Sequence, residues 1–187
     1  MSVLPARHPV TVDEFVRMVD AGVFAADRRL ELIDGDIVDM SPIGSGHQAC
    51  VDRLFVLFAP LAIADRAVVR VQGPVQASDL SLPQPDVALL RPRKNFYADA
   101  HPGPGSVHLV VEVADSSLRF DRSVKRPAYA RAAVCEMWIV NLEGGCVEVA
   151  RQPSSGGYGR VDRVARADSL APEAFPELTI AVDDILG

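Results

Sequence analysis

The segment His108-Leu-Val-Val-Glu-Val113 constrains the fold of this chain more than any other part of the sequence. It is a nearly continuous apolar run rich in β-branched residues, which is typical of a strand buried on both faces. Such a strand lies in a sheet that is covered on each side, usually by helices. The sequence therefore predicts a sheet with further layers packed against it.

The remaining patterns predict helices and strands in mixed order. Thr11 and Glu14 have the spacing of a helix capping box, and Asp34-Gly35 is a strong hairpin turn signal. Helices are predicted at about 12–20, from 47 to about 64 and across 129–133; strands at 68–75, 85–90 and 135–140; and hairpins at 29–40 and at 146–164. The last 20 residues look like an appendage with an apolar end. The order predicts an α/β or α+β domain around one mixed sheet.

Length and composition exclude several classes of protein. The 187 residues predict a single domain over 1–187, and the longest apolar run, 54–64, is too short to span a membrane. Three cysteines without a C-x-x-C pair argue against a disulfide framework and favour the cytoplasm. The net charge of −6 disfavours tight nonspecific coating of nucleic acid, but it allows an acidic site that meets phosphate through metal ions.

Two carboxylates lie inside apolar strands. Asp86 opens the run Asp-Val-Ala-Leu-Leu, and Glu112 lies within the run at 108–113. A lone buried charge is costly unless it is paired or binds a metal ion. Lys125 follows at the approach to the next helix. If the strands are neighbours, two hard oxygen ligands and one ammonium suit Mg²⁺ or Mn²⁺ at a phosphodiester.

Each of these residues also has an ordinary structural explanation. Asp86 can cap a loop or begin a strand, and Glu112 can form a buried pair with a lysine or arginine. Lys125 alone is typical of a solvated surface lysine. Only the ordered set of all three favours metal-dependent phosphodiester chemistry.

The ordered set resembles the PD-(D/E)XK nuclease superfamily, which has the restriction-endonuclease-like fold. More narrowly, the chain is similar to the bacterial Uma family of single-domain endonuclease-like proteins over roughly residues 10–150. The matching segments are Arg29-Leu-Glu-Leu-Ile-Asp-Gly-Asp-Ile-Val, Ser41-Pro with His47, Pro85-Asp-Val, Val111-Glu-Val-Ala-Asp-Ser-Ser, Asp121-Arg-Ser-Val-Lys-Arg-Pro-Ala-Tyr129 and Glu136-Met-Trp-Ile-Val140.

The resemblance implies a restriction-endonuclease-like core at about 10–150: a central mixed β-sheet flanked by helices, with an N-terminal hairpin and a C-terminal β extension at 146–187. It implies an acidic site of Glu31, Asp86 and Glu112, with the carbonyl of Val113 as a further metal ligand. Lys125 is then the family's lysine, moved from its usual place two residues after the acid, because position 114 is an alanine.

Supporting roles are expected for three more residues in the matched segments. His47 begins a helix and can approach the site, although capping is its usual role. Asp121 is expected to cap or orient the approach to the next helix, and Tyr129 to support Lys125, touch phosphate or pack in the core. Pro127 disfavours a helical conformation at Arg126. The arginines around Lys125 mark the expected position of the phosphate backbone: Arg119, Arg122, Arg126 and Arg131.

The function expected on these grounds is Mg²⁺- or Mn²⁺-dependent endonuclease activity, with DNA favoured over RNA as the substrate. A homodimer is expected as well, since two sites related by a two-fold axis can cut both strands of a duplex. The alternative is a catalytically inactive binding or assembly module of the same fold, which Pro127 and the negative net charge favour.

Overall fold

The structure is a computed structural model that describes residues 7–187. The predicted domain over residues 1–187 therefore includes six residues that lie outside the described part of the chain, and the single domain stays a prediction. Among the residues that the structure describes, none of the helices combines the length and the apolar character that crossing a bilayer requires.

The described residues contain helices and strands in mixed order, as predicted. The helices are α1 (Val12–Asp20), α2 (Ser45–Ile63), α3 (Leu118–Phe120), α4 (Arg126–Arg131) and α5 (Val182–Leu186), and a π-helical turn (Asp121–Lys125) joins α3 to α4. The strands are β1 (Leu30–Ile33), β2 (Asp36–Asp39), β3 (Val68–Val71), β4 (Val87–Leu90), β5 (Val107–Ala114), β6 (Glu136–Asn141), β7 (Cys146–Ser154), β8 (Gly157–Ala165), β9 (Ser169–Leu170) and β10 (Ile180–Ala181).

Six of the strands form one mixed sheet in the order β3-β4-β5-β6-β7-β8. The pair β5–β6 is parallel and the other four pairs are antiparallel. The predicted N-terminal hairpin, β1–β2, forms a separate two-stranded sheet, and the backbone N–H of Leu82 bonds to the carbonyl of Leu32 at 2.7 Å. The mixed sheet and the N-terminal hairpin are therefore confirmed.

Strand β5 is buried on both faces, as its sequence predicts. Val111 and Val113 pack into the core on the α2 side, together with Leu54 and Phe58. Val110 packs on the opposite side in a second core that includes Tyr129 of α4. Because side chains alternate along a strand, Glu112 projects toward this second side.

The prediction of a C-terminal appendage is wrong. Phe175, Ile180, Val182 and Ile185 are buried in the same core as α2, and the guanidinium of Arg53 donates to the carbonyl of Ile185 at 2.9 Å. Short elements separated by prolines have too few apolar residues each to show a period, so the sequence hides their burial.

The helical segment after β5 begins eleven residues earlier than predicted. Ser117 is its N-cap residue, so Asp121 lies inside the helix and does not cap it. Arg126 is helical (φ −58°, ψ −46°) although it precedes Pro127, which makes the expected break wrong. The π-helical turn explains this, because its wider ring leaves room at the proline, which has no N–H to donate.

Candidate active site

Four of the predicted residues converge on one cavity of about 340 Å³. Asp86 lies at the start of β4, Glu112 in β5, Glu31 in β1 and Lys125 in the π-helical turn, and each is at most 6 % exposed. Val87 pairs with Val111 across the antiparallel strands, so Asp86 stands beside Glu112. Strands β4 and β5 are neighbours, as expected, and bring Asp86 and Glu112 together. The β1–β2 hairpin adds the third carboxylate, that of Glu31.

Lys125 forms a buried ion pair with two of these carboxylates. Its Nζ donates to Oε1 of Glu31 at 3.0 Å and to Oε2 of Glu112 at 3.1 Å. The explanation of Lys125 as a surface lysine is therefore wrong, whereas the buried glutamate–lysine pair that the sequence left open is present. The same geometry also places the ammonium of Lys125 beside the carboxylates of Glu31 in β1 and Glu112 in β5.

Hydrogen bonds fix the other oxygens of the site. The hydroxyl of Tyr129 donates to Oε1 of Glu112 at 2.9 Å, so Tyr129 supports the carboxylate rather than Lys125. The N–H of Val113 donates to Oδ2 of Asp86 at 2.8 Å, and Nε2 of His47 lies 3.1 Å from the same oxygen. Within residues 7–187, Nδ1 of His47 is buried and has no hydrogen-bond partner.

The expected phosphate-binding arginines are mostly occupied by the protein itself. Arg122 and Arg126 pair with Glu148, and Arg131 pairs with Asp34 at 2.6 Å. These ion pairs leave only Arg119 of the four arginines without a carboxylate partner within residues 7–187, and the position of the phosphate backbone stays a prediction. The sequence could not show the pairs with Glu148, since Glu148 lies more than 20 residues away on β7.

Negative charge exceeds positive charge in the site. Burial raises the pKa of Glu112 well above its usual 4.5, and the charge of Lys125 lowers this pKa only in part. Burial likewise raises the pKa of Asp121, whose carboxylate accepts a hydrogen bond from Ser117 at 2.6 Å. Burial alone would lower the pKa of Lys125, but Glu112, Glu31 and Asp121 outweigh it and leave that pKa raised.

The raised pKa of Glu112 predicts a specific pH dependence of stability. With a chelator present, the free energy of unfolding should fall as the pH rises above 4.5, because folded Glu112 keeps a proton that the unfolded chain releases. The stabilisation that the raised pKa of Glu112 gives to the folded state is fully present below pH 4.5. It is lost as the pH rises through the pKa that Glu112 has in the folded protein. When the free energy of unfolding from urea titrations is plotted against pH, the slope for wild type should be steeper than that for Glu112→Gln by up to about 1.4 kcal/mol per pH unit. Parallel profiles of the two proteins would contradict this assignment.

The donor set fits a small, hard divalent cation. Six carboxylates line the cavity with one lysine and one arginine, and this excess of negative charge favours a further cation. Asp86, Glu112 and the carbonyl of Val113 are the groups that could hold it. Within the described residues no three His, Cys, Asp or Glu side chains are grouped to hold a metal. Mg²⁺ commonly uses only one or two carboxylates and keeps several waters.

The sequence analysis did not single out Asp39 and Asp115, which also line the cavity, nor Gln72 and Arg29. Gln72, just after β3, has a positive φ of 48°, and its amide nitrogen lies 3.4 Å from Oδ1 of Asp86. Arg29 lines the cavity and makes no ion pair within residues 7–187. Its position two residues before Glu31 was a usable signal, since residues two apart share one face of a strand. Nothing in the local sequence marks Gln72.

Comparison with known proteins agrees with the architecture. A solved structure from Anabaena variabilis ATCC 29413, described as "a putative nuclease belonging to DUF820", has a TM-score of 0.76 and 15% sequence identity. The match covers 95% of this chain and 98% of that one, and it shows a shared nuclease fold. No curated protein matches the chain. The profile of the Uma2 family, described as "Putative restriction endonuclease", matches residues 12–183. The chain therefore belongs to the Uma2 family and has a restriction-endonuclease-like fold.

Proposed function

We propose that this protein is an endonuclease that hydrolyses phosphodiester bonds of DNA with the help of Mg²⁺ or Mn²⁺. The observation that supports it is the convergence of Asp86, Glu112 and Lys125 in one cavity. Membership of a nuclease-like family supports the same class of reaction.

The chain's own groups have separable roles in this proposal. Asp86 and Glu112, with the carbonyl of Val113, hold the ion, which when bound activates water and neutralises phosphate charge. His47 and the Val113 N–H keep Asp86 in place, and Tyr129 keeps Glu112 in place.

Lys125 supplies the positive charge of the site. An ammonium has three N–H donors, and Lys125 uses two of them on Glu31 and Glu112. The third donor is left for a phosphate oxygen, whose negative charge increases in the transition state. Glu31 has the positioning role, since it orients Lys125.

Cleavage of supercoiled plasmid tests the proposal directly. Wild-type protein should nick or linearise the circle with Mg²⁺ or Mn²⁺, and should not do so with chelator. Asp86→Asn and Glu112→Gln should lower the rate by roughly 10²–10³-fold, the usual effect of removing one group that stabilises a transition state. Asp20→Asn, at an exposed position at the end of α1 and outside the cavity, is the matched control. Equal cutting by all four proteins would refute the site assignment.

A second candidate, an inactive binding or assembly module, is favoured by one observation. Both oxygens of Glu112 and two donors of Lys125 are already engaged within the protein. Calorimetry with Mn²⁺ separates the candidates: no heat of binding, together with an intact fold, supports the inactive module. A parallel assay on single-stranded RNA tests the preference for DNA.

The proposed assembly is a homodimer. Strand β8 lies at one edge of the sheet, and two copies would supply the two cuts that a duplex requires. Light scattering at assay concentrations should report about twice the mass of one chain, and a monomer would contradict it.

A further inference from the structure

The loop between β4 and β5 has an exposed aromatic residue held in an unusual conformation. Phe96 is 67 % exposed, and both Phe96 and Tyr97 have positive φ, 50° and 62°. A left-handed conformation at a residue other than glycine costs about 1–3 kcal/mol and persists only where its surroundings enforce it. Residues 91–101 are called the basic loop below.

Contacts on the inner side of the basic loop enforce this conformation. The guanidinium of Arg70 donates to the carbonyl of Phe96 at 3.0 Å, and the N–H of Tyr97 donates to Oδ1 of Asn95 at 3.2 Å. The hydroxyl of buried Tyr97 donates to the carbonyl of Arg91 at 2.8 Å. Tyr97 therefore anchors the loop, and Phe96 is directed to solvent by a rigid support.

The basic loop has positive charge that the protein does not neutralise. Arg93 pairs with Asp99 at 2.6 Å. Arg70 and Arg91 bond to backbone carbonyls, and neither these two nor Lys94 pairs with any carboxylate of residues 7–187. This contrasts with Arg122 and Arg126 beside Lys125, which pair with Glu148, and with the net charge of −6 of the whole chain.

The basic loop and the candidate active site share one side of the sheet. Tyr97 packs with Ala88 and Val110, on the side toward which Asp86 and Glu112 project. Edge strand β3 links the two places, because Arg70 contacts the loop and Gln72, two residues later, contacts Asp86. Two residues of extended chain span roughly 7 Å. A single strand of nucleic acid can thus lie along this edge from the cavity to the loop.

We propose that the basic loop binds an unpaired segment of nucleic acid, with Phe96 stacking on a base and Lys94, Arg91 and Arg70 binding phosphates. This inference rests on the proposed function for the identity of the ligand. An aromatic face stacks on any base that is free of its duplex partner, and cations beside it bind the backbone. The loop therefore directs the enzyme to single-stranded or locally opened substrate.

Fluorescence anisotropy in chelator measures this binding without cleavage. The probes are a labelled twenty-nucleotide oligothymidylate and a duplex of the same length. Phe96→Ala should weaken binding of the single strand about tenfold, because stacking contributes about 1–3 kcal/mol per base. Lys94→Gln should reduce the slope of log affinity against log salt by about 0.7. Phe55→Ala, which removes a ring 46 % exposed on α2, should bind as wild type does.

The outcomes separate this inference from the nuclease proposal. If wild type binds the single strand and Phe96→Ala weakens that binding while Phe55→Ala does not, the loop assignment holds even where plasmid cleavage fails. If wild type cleaves plasmid but Phe96→Ala binds as wild type does, the loop assignment alone is overturned. Equal losses in Phe96→Ala and Phe55→Ala, or no binding of either probe by wild type, also overturn it. Thermal melting should be the same for all three variants, whose changed side chains are exposed.

Discussion

Replacing Lys125 with methionine is expected to abolish DNA cleavage and to lower the free energy of unfolding by about 3–5 kcal/mol. Methionine keeps most of the apolar stem but removes the ammonium that pairs with Glu31 and Glu112. The two carboxylates are 1 % and 3 % exposed, so water cannot replace the lost partner. The rate should fall by roughly 10²–10³-fold, because charge that develops on phosphate loses its ammonium.

Urea unfolding and plasmid cleavage should be measured on the same preparations, with cleavage assayed well below the melting temperature of the variant. Lys94→Met is the matched control for the unfolding measurement, since Lys94 is the other lysine of the chain and is exposed. Its free energy of unfolding should change by less than about 0.5 kcal/mol. The loss of stability in Lys125→Met should shrink toward acidic pH, where Glu112, whose pKa is raised, is protonated. A variant as stable as wild type at pH 7 would show that Lys125 is not a buried partner of the glutamates.

Replacing Glu136 with alanine should have the largest effect on stability outside the site, about 3 kcal/mol. Glu136 is fully buried, and its carboxylate accepts hydrogen bonds from Trp138 Nε1 at 2.8 Å, from Arg151 and from the N–H of Glu173 at 2.6 Å. Alanine leaves all three donors without this partner. The expected loss of stability is at the low end of the range for breaking a buried ion pair, because the side chain of Arg151 is 24% exposed and water can partly replace Glu136.

The single tryptophan makes this effect measurable in two ways. Urea unfolding followed by Trp138 fluorescence gives the loss of stability, and the emission of the folded variant reports the freed indole N–H. Glu143→Ala, at an exposed position in the turn after β6, is the control and should be close to neutral. Plasmid cleavage per folded molecule should be unchanged, because Glu136 is outside the cavity. A large loss of activity with unchanged stability would contradict the structural role.

The sequence predicted correctly those helices and turns that are set by interactions between residues close together in the chain. The capping box of Thr11 and Glu14 begins α1, and Asp34-Gly35 forms the turn between β1 and β2. The helical segment from Leu118 was predicted too late, because Leu118, Phe120 and Val124 are too few among their polar neighbours to show a sustained apolar period. Its continuity through Pro127 depends on a π-helical turn for which the sequence has no signal.

For the candidate site, the sequence supplied the unusual residues but not their partners. Asp86 and Glu112 are conspicuous because a carboxylate in an apolar strand is costly without compensation, and this holds whatever the rest of the chain does. Glu31 was implied only by family resemblance, since its alternation with Leu30 and Leu32 by itself favours the outward face of an edge strand.

The sequence by itself determined a mixed sheet that is buried on both faces. It also determined that two acids are buried in it and need a cation, since the cost of burying a charge can be judged for each residue without knowing its partners. Only the tertiary structure decided that Lys125 meets both Glu31 and Glu112, which lie 94 and 13 residues away. It also decided that Glu148 pairs with Arg122 and Arg126, whereas Arg91 and Lys94 of the basic loop have no carboxylate partner within residues 7–187. The physical reason is that an ion pair depends on distances in space, and packing of the whole chain sets those distances.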